Sequence, residues 1–153
     1  MPSHRERRHL SYTAPQLFEL VADVERYPEF IEWFVAVRVR RREGNILEVD
    51  QVVRFKGLRA RFATRAVLDR PRRIEITSDE APFKRFEQLW TFAPSPETGA
   101  IVEYASTLEL RSSLAQHAMQ AFFDERRVAE ATIDAFARRA QLIYGPAPPP
   151  AYS

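Results

Sequence analysis

"LAQHAMQAFFDERRVAEATIDAFARRAQLI" (residues 114–143) is the stretch that decides the fold. Leu114, Ala118, Ala121, Phe122, Ala129, Ile133, Phe136, Ala140 and Ile143 recur at helical spacing and form one apolar stripe. Gly145 and Pro146 supply the stop signal. The spacing predicts one long helix over about 114–143. Whatever sheet precedes it has this single long helix as its cover.

Upstream, the period of the apolar residues is mostly two. Residues 5–12 read as a first strand. From residue 35, Val35, Val37 and Val39 alternate with Ala36, Arg38 and Arg40. After the turn at "REGN", Leu47, Val49, Gln51, Val53 and Phe55 share one face. "KGL" (56–58) turns the chain again, into strand-like 59–68. A break at "DRP" leads to "RIEITS" (73–78), then "FKRFEQLWTF" (83–92), then a last strand at 100–110. About seven strands with mostly short connections predict an antiparallel meander.

Two short helices interrupt this pattern after the first strand. Thr13 and Gln16 have capping-box spacing, and Pro15 falls in the first turn, where its missing N–H costs nothing. Leu17, Leu20, Val21 and Val24 make a helical stripe. Pro28 biases Tyr27 away from the α region, ending that helix and starting a second short one. The class expected is α+β, a helix-grip: a curled antiparallel sheet wrapped around the long C-terminal helix. Such a sheet and one helix leave space between them unless large side chains fill it. Tyr27, Phe30, Trp33 and Phe34, crowded around Pro28, then become a candidate gate, with the short helices plugging the open end.

Composition narrows the chemistry. The chain has 153 residues, 45% hydrophobic and 29% charged, and no cysteine. Disulfides, thiolate nucleophiles and thiolate metal sites are thereby excluded. No apolar run approaches the roughly 18 residues of a membrane span, and "MPSHRERRHLSY" has no secretory apolar core. A cytoplasmic protein, at most peripheral to the inner membrane, is expected. Residues 1–145 read as one domain, and the proline-rich tail from 146 to 153 as disordered.

Net charge is +2, and Lys56 and Lys84 are the only lysines among 23 basic residues. Arginine's planar fork suits phosphate contacts, but "RVRRRE" (38–43) and "RPRR" (70–73) alternate with apolar residues or sit at turns, as solvated faces do. Glycine occurs only at Gly44, Gly57, Gly99 and Gly145, so no phosphate-binding loop or dinucleotide fingerprint can be assembled. His4, His9 and His117 lack zinc-helix spacing, and no metal site is expected. Among the carboxylates, alternation places Glu48, Asp50, Glu75, Glu87, Glu103 and Glu109 toward solvent. Glu125 is the exception, because it falls on the helical stripe, although "DERR" (124–127) reads equally as a solvated patch whose i, i+3 and i, i+4 pairs stabilise a helix.

"YPEFIEWF", "FKGL", "APFKRFEQLWTF" and "IDAFARRAQLIYG", in this order and spacing, resemble the coenzyme Q-binding START-like family. That family includes the mitochondrial coenzyme Q chaperone, its bacterial relatives and the ribosome-association toxins, and it lies within the polyketide cyclase-like, Bet v-like superfamily. The similarity runs from about residue 5 to 145. It implies an apolar cavity between sheet and C-terminal helix, ubiquinone or a related polyprenyl quinone as bound ligand, no cofactor, and delivery without catalysis. Tyr27, Pro28 and Phe30 match the family's Y-P-x-F motif, and Phe83, Lys84 and Trp90 match its G-P-F-K-x-L-x-x-x-W motif. Glu32 stands where the family usually has proline, Ala81 replaces a glycine, and Phe86 replaces a leucine.

The ligand-binding residues expected are therefore Tyr27, Pro28, Phe30, Trp33, Phe34, Phe55, Leu58, Phe62, Phe83, Lys84, Phe86, Trp90, Phe122 and Phe136. Lys84 shares strand parity with Phe86 and Trp90 and is expected to donate to a quinone oxygen. Phe86, Trp90, Phe122 and Phe136 fit a filled core as well as they fit a cavity wall. Expected partners are a lipid quinone and, transiently, the inner-membrane surface, with no DNA. Two alternatives differ in kind. A ribosome-associated protein would show a contiguous basic face with steep salt dependence. A cyclase-type enzyme would need an inward carboxylate bonded to a second polar group, for which only Glu125 and His117 are candidates.

Overall fold

The computed structural model describes residues 3–55, 57–122 and 124–146, with the side chains of Ala121 and Phe122 also outside the description. The side chain of the ligand residue Phe122 and the tail expected to be disordered, from Ala147 on, therefore lie outside the description, as does Lys56 at the 56–58 turn.

Seven strands form one antiparallel sheet in the order β1-β7-β6-β5-β4-β3-β2. They are β1 (Ser3–Leu10), β2 (Phe34–Glu43), β3 (Ile46–Phe55), β4 (Leu58–Asp69), β5 (Arg73–Ser78), β6 (Phe83–Pro94) and β7 (Ala100–Leu110). From β2 to β7 each strand pairs with its sequence neighbour, and β1 returns to pair with β7, Leu10 opposite Ala100. The meander and the helix-grip class stand as expected. The alternation expected of a half-buried strand is clearest in β7, where Val102, Tyr104, Ser106 and Leu108 turn inward.

Helix α1 (Ala14–Ala22) starts as its sequence dictates. Thr13 Oγ1 accepts from Gln16 N at 3.2 Å, and Gln16 Oε1 accepts from Thr13 N at 2.9 Å, closing a capping box. A 3-10 helix follows at Val24–Glu29 and holds Pro28 inside it, so the second helix begins before the proline rather than at it.

The C-terminal helix is two helices, α2 (Ser113–Phe122) and α3 (Glu125–Tyr144). Asp124 adopts an extended conformation and its side chain accepts from Arg126 N and Arg127 N, capping α3. An aspartate that bonds the backbone this way competes with helix continuation. The predicted stripe breaks with it. Ala129, Ile133, Phe136 and Ala140 are buried in α3, whereas Leu114 is 82% exposed in α2 and Ile143 is exposed at the far end.

Helix α1 packs against α3, β5 and β6. Phe18 is fully buried and meets Phe92 edge-on, ring centroids 5.7 Å apart. Tyr12 donates its hydroxyl to Gly145 O at 2.8 Å, and Tyr144 donates to Gln16 O at 3.0 Å, tying the end of α3 to α1.

Candidate functional site: an aromatic cavity under the helices

Between the concave face of the sheet and α2–α3 lies a cavity of about 730 Å³, within the ~300–1,000 Å³ usual for small-molecule sites. Its walls are built by strand alternation. Phe62 of β4 and Phe83 and Phe86 of β6 form a triangle of rings with centroids 4.8, 5.3 and 5.0 Å apart. Trp90, two strand repeats beyond Phe86, meets Phe136 of α3 at 5.3 Å. Tyr27 and Phe34 complete that wall, and the Tyr27 hydroxyl donates to the Val21 carbonyl, so the ring is anchored by its buried polar end. Burial also pushes the Tyr27 phenol pKa upward, well beyond the ordinary tyrosine value.

The lining residues that are also exposed mark the mouth: Leu58, 78% exposed, with Arg59, Pro82 and Ala118. Trp33 stacks on Phe55 there at 5.8 Å. The helix beside the mouth is α2, which contributes Ala115, Ala118 and Met119 and buries none of its described residues fully. Helix α1 contributes no lining residue, so it closes the opposite end rather than plugging the mouth.

Of the residues expected from sequence, Tyr27, Trp33, Phe34, Phe55, Leu58, Phe62, Phe83, Phe86, Trp90 and Phe136 come together around this one space. Pro28, Phe30 and Lys84 do not. Pro28 is exposed on the 3-10 helix, which turns Tyr27 and Ile31 inward. Phe30 packs edge-on against Phe136 at 5.3 Å, away from the cavity, and carries the Arg139 guanidinium over its ring at 5.0 Å. Lys84 is corrected by a register shift between Phe83 and Arg85. The irregularity turns Phe83 and Phe86, three residues apart, to the same inner face and sends Lys84 outward, where its amine lies 3.6 Å from Glu109. It is not placed to donate to a ligand in the cavity.

Polar groups missed in the sequence also line the space. Gln51, Thr64, Gln88, Tyr104, Ser106 and Thr132 face it. Gln88 Nε2 donates to the Tyr104 hydroxyl at 2.8 Å, and Thr132 satisfies itself on Val128 O at 2.6 Å. The available signal was parity: Gln88 lies between Phe86 and Trp90 on the inward side, and Gln51 shares the Leu47 and Val49 face. Glu125, read as the inward carboxylate, does line the cavity, and its Oε1 is buried without a hydrogen-bond partner among the described residues. Burial raises its pKa, opposed by nearby His4. The strand carboxylates expected to face solvent stay outside the lining. No group of three or more metal-ligating side chains comes together among the described residues, and no described helix is long and apolar enough to cross a membrane.

Residues 10–137 match the family described as polyketide cyclase / dehydrase and lipid transport. The chain is 32% identical over 146 residues to the ribosome association toxin of Pseudomonas aeruginosa, covering 95% of this chain and all of that one. It is 26% identical over 147 residues to a mitochondrial coenzyme Q-binding protein homolog of Xenopus laevis, covering 93% of this chain and 59% of that longer protein. Among solved structures, a START superfamily protein from Mycobacterium smegmatis superposes with a TM-score of 0.78 at 14% identity, over 92% of this chain and 98% of that one, a likeness of fold. With the matched residues taking in every strand from β2 to β7 and most of α3, the chain belongs to the polyketide cyclase / dehydrase and lipid transport family.

Proposed function

We propose that the protein is a non-catalytic carrier that binds a polyprenyl quinone, ubiquinone or a biosynthetic intermediate of it, and delivers it at the inner-membrane surface. The observation that carries this reading is the aromatic-walled cavity with an apolar mouth. Each buried methylene favours a dry cavity over water by about 0.8 kcal/mol, so a prenylated ring scarcely diffuses free and a carrier has work to do. The cavity has the size of a drug-like ligand, which suits a ring and the first part of a tail while a longer tail leaves through the mouth. Leu58 at the mouth and Leu114, next to the lining Ala115, present apolar side chains where a bilayer would be met, with Arg59 beside them for anionic headgroups. The coenzyme Q-binding relative supports the choice of ligand.

Solvent extraction of the purified protein followed by mass spectrometry tests the reading, with quenching of its two tryptophans by added short-chain ubiquinone as the second arm. Trp33 sits at the mouth and Trp90 within the wall, so a bound quinone quenches both. An empty extract together with unchanged fluorescence overturns the carrier.

A second reading, contact with a ribosomal subunit, is favoured by the relative named ribosome association toxin. Against a broad basic face stand ion pairs such as Arg40–Asp50, Arg73–Glu75 and Arg7–Glu103, which interleave the two signs. Co-sedimentation with ribosomes over a salt series checks it: a steep loss of binding with salt supports phosphate contacts, and none at low salt removes the reading. For the cyclase alternative, the inward carboxylate is Glu125, whose Oε1 bonds to no second polar group among the described residues.

A further inference from the structure

We propose that Glu125, Tyr104 and Gln88 form a headgroup station for a hydroxyl-bearing aromatic ring, so that the cavity binds the reduced, dihydroxy form of its lipid in preference to the oxidised, carbonyl form. This rests on the carrier reading above and names the redox state of the cargo.

The station is set by the register of two strands. Gln88 lies opposite Ser106 and Trp90 opposite Tyr104, and all four turn into the cavity. Tyr104 is buried and its oxygen accepts from Gln88 Nε2 at 2.8 Å, with Ser106 a further hydrogen-bonding neighbour. Burial drives the phenol's pKa upward, so the group keeps its proton. A phenol has one hydrogen to give, and with Gln88 occupying the oxygen, that hydrogen remains for a further partner. Glu125 approaches from the first turn of α3 and lines the same cavity. Its charge reaches Tyr104, and its Oε1 is buried with no partner among the described residues.

The cavity thus presents one acceptor in want of a donor, Glu125 Oε1, near a Tyr104 hydroxyl that has Ser106 as a hydrogen-bonding neighbour. A ligand hydroxyl answers the first by donating to Glu125, and its oxygen can accept from Tyr104 in place of Ser106. A carbonyl can only accept, which leaves the buried Glu125 oxygen as it was. Sites with buried polar groups discriminate most strongly against the analogue that leaves one of them without a partner. Trp90, 4.5 Å from the Tyr104 ring, supplies an aromatic surface beside the station for the ring that carries the hydroxyl.

Equilibrium dialysis of the full chain against ubiquinone bearing one prenyl unit, and against the same compound reduced and kept anaerobic, tests the station. The quinol is expected to bind about tenfold tighter or more. Glu125→Leu should abolish that preference, read as the ratio of quinol to quinone affinity in the same variant. Tyr104→Phe should weaken both forms together, since both accept from the phenol. This asymmetry is one that loss of folding would not produce, and it keeps the test open if one variant is unstable. A para-hexyl phenol and its methyl ether form the second probe pair, the ether lacking only the donated hydrogen.

Equal affinity for quinone and quinol overturns the station and leaves the carrier standing. If neither quinone form binds but the phenol is preferred over its ether, and Glu125→Leu removes the preference, the station stands and the quinone cargo falls. If the phenol and ether also fail to bind, or bind alike, the station is overturned with it.

Discussion

The two ends of the space between sheet and helices are built from similar residues and do opposite things. At the closed end, Phe18, Phe92, Ala100 and Ala140 are almost wholly buried, Tyr12 just before α1 donates to the Gly145 carbonyl just after α3, and Tyr144 of α3 donates to the Gln16 carbonyl of α1. At the mouth, Trp33 and Phe55 stack on each other while Leu58 stays in solvent, as does Leu114, next in sequence to the lining Ala115. An aromatic residue in this chain is therefore core or cavity wall according to what packs over it. At the closed end a second helix does; at the mouth only α2 stands nearby, and it buries none of its described residues.

Phe136 is the hinge of this comparison, because it belongs to both regions. Its ring meets Tyr27, Phe30 and Trp90 edge-on at 5.4, 5.3 and 5.3 Å while also facing the cavity. If it is chiefly core, Phe136→Ala should cost about 3–5 kcal/mol in chemical denaturation, as large-to-small aromatic changes do. A loss under 1 kcal/mol would mean that the cavity, not the closed end, governs that position, and the distinction between the ends would collapse.

Next in size is Gly99, where the turn before β7 runs against the end of β1. Its φ is +77°, and a Cβ there would lie 2.1 Å from the Leu10 carbonyl oxygen and 2.9 Å from Ser11 Cα, both backbone. Gly99→Ala should destabilise by about 1–3 kcal/mol from strain and displacement. Ligand binding measured under folded conditions should survive, because no lining residue is touched.

These positions also show what was legible beforehand. Strand alternation and the Thr13–Gln16 spacing are local signals, and they placed the sheet and the start of α1, because period-two burial and capping depend on residues near one another in sequence; α1 itself stops at Ala22, before the proline expected to end it. The cavity wall on β4 and β6 followed from the same alternation, helped by the family resemblance. Lys84 failed because a single register irregularity reverses parity, and nothing in "PFKRFE" distinguishes a regular strand from a bulged one. The break at Asp124 failed because an aspartate within a helical stripe reads equally as a solvated residue and as a cap. The choice between core and cavity was not local at all. It depends on which helix covers each ring, and that is decided by the break.

Glu125 offers a smaller effect of the opposite sign. Burial raises its pKa, so between the ordinary carboxylate value and the raised one the native chain holds more proton than the unfolded chain. Stability then falls as pH rises through that window and levels off above it. Glu125→Gln removes the fall. The variant should be more stable than the parent at neutral pH, by a small margin because the partly exposed carboxylate is screened by solvent, and the two should converge in acid below the ordinary carboxylate range. Thermal unfolding over a pH series reads this directly. A variant less stable at neutral pH would mean that the carboxylate is satisfied in solution, and the polar part of the cavity would belong with the well-packed end.

The smallest stability change is expected where the two ends differ most. Leu58 and Leu114 are 78% and 82% exposed, so replacing both with serine should move unfolding by no more than about 0.5 kcal/mol each. At the closed end, comparable losses of apolar bulk would be felt at once, since those side chains are already out of water. What the double variant should lose is contact with a bilayer: flotation with vesicles containing anionic lipid should fall severalfold while the unfolding curve is unchanged. A drop in stability comparable to that of a core leucine would show that the mouth is covered in solution. Unchanged flotation would show that its exposed leucines are incidental, like isolated apolar residues on any surface. Stability and vesicle binding thus separate at the mouth, where exposed apolar side chains adjoin the cavity; Leu142 and Ile143, exposed at the end of α3, do not line it, and replacing them should leave flotation unchanged.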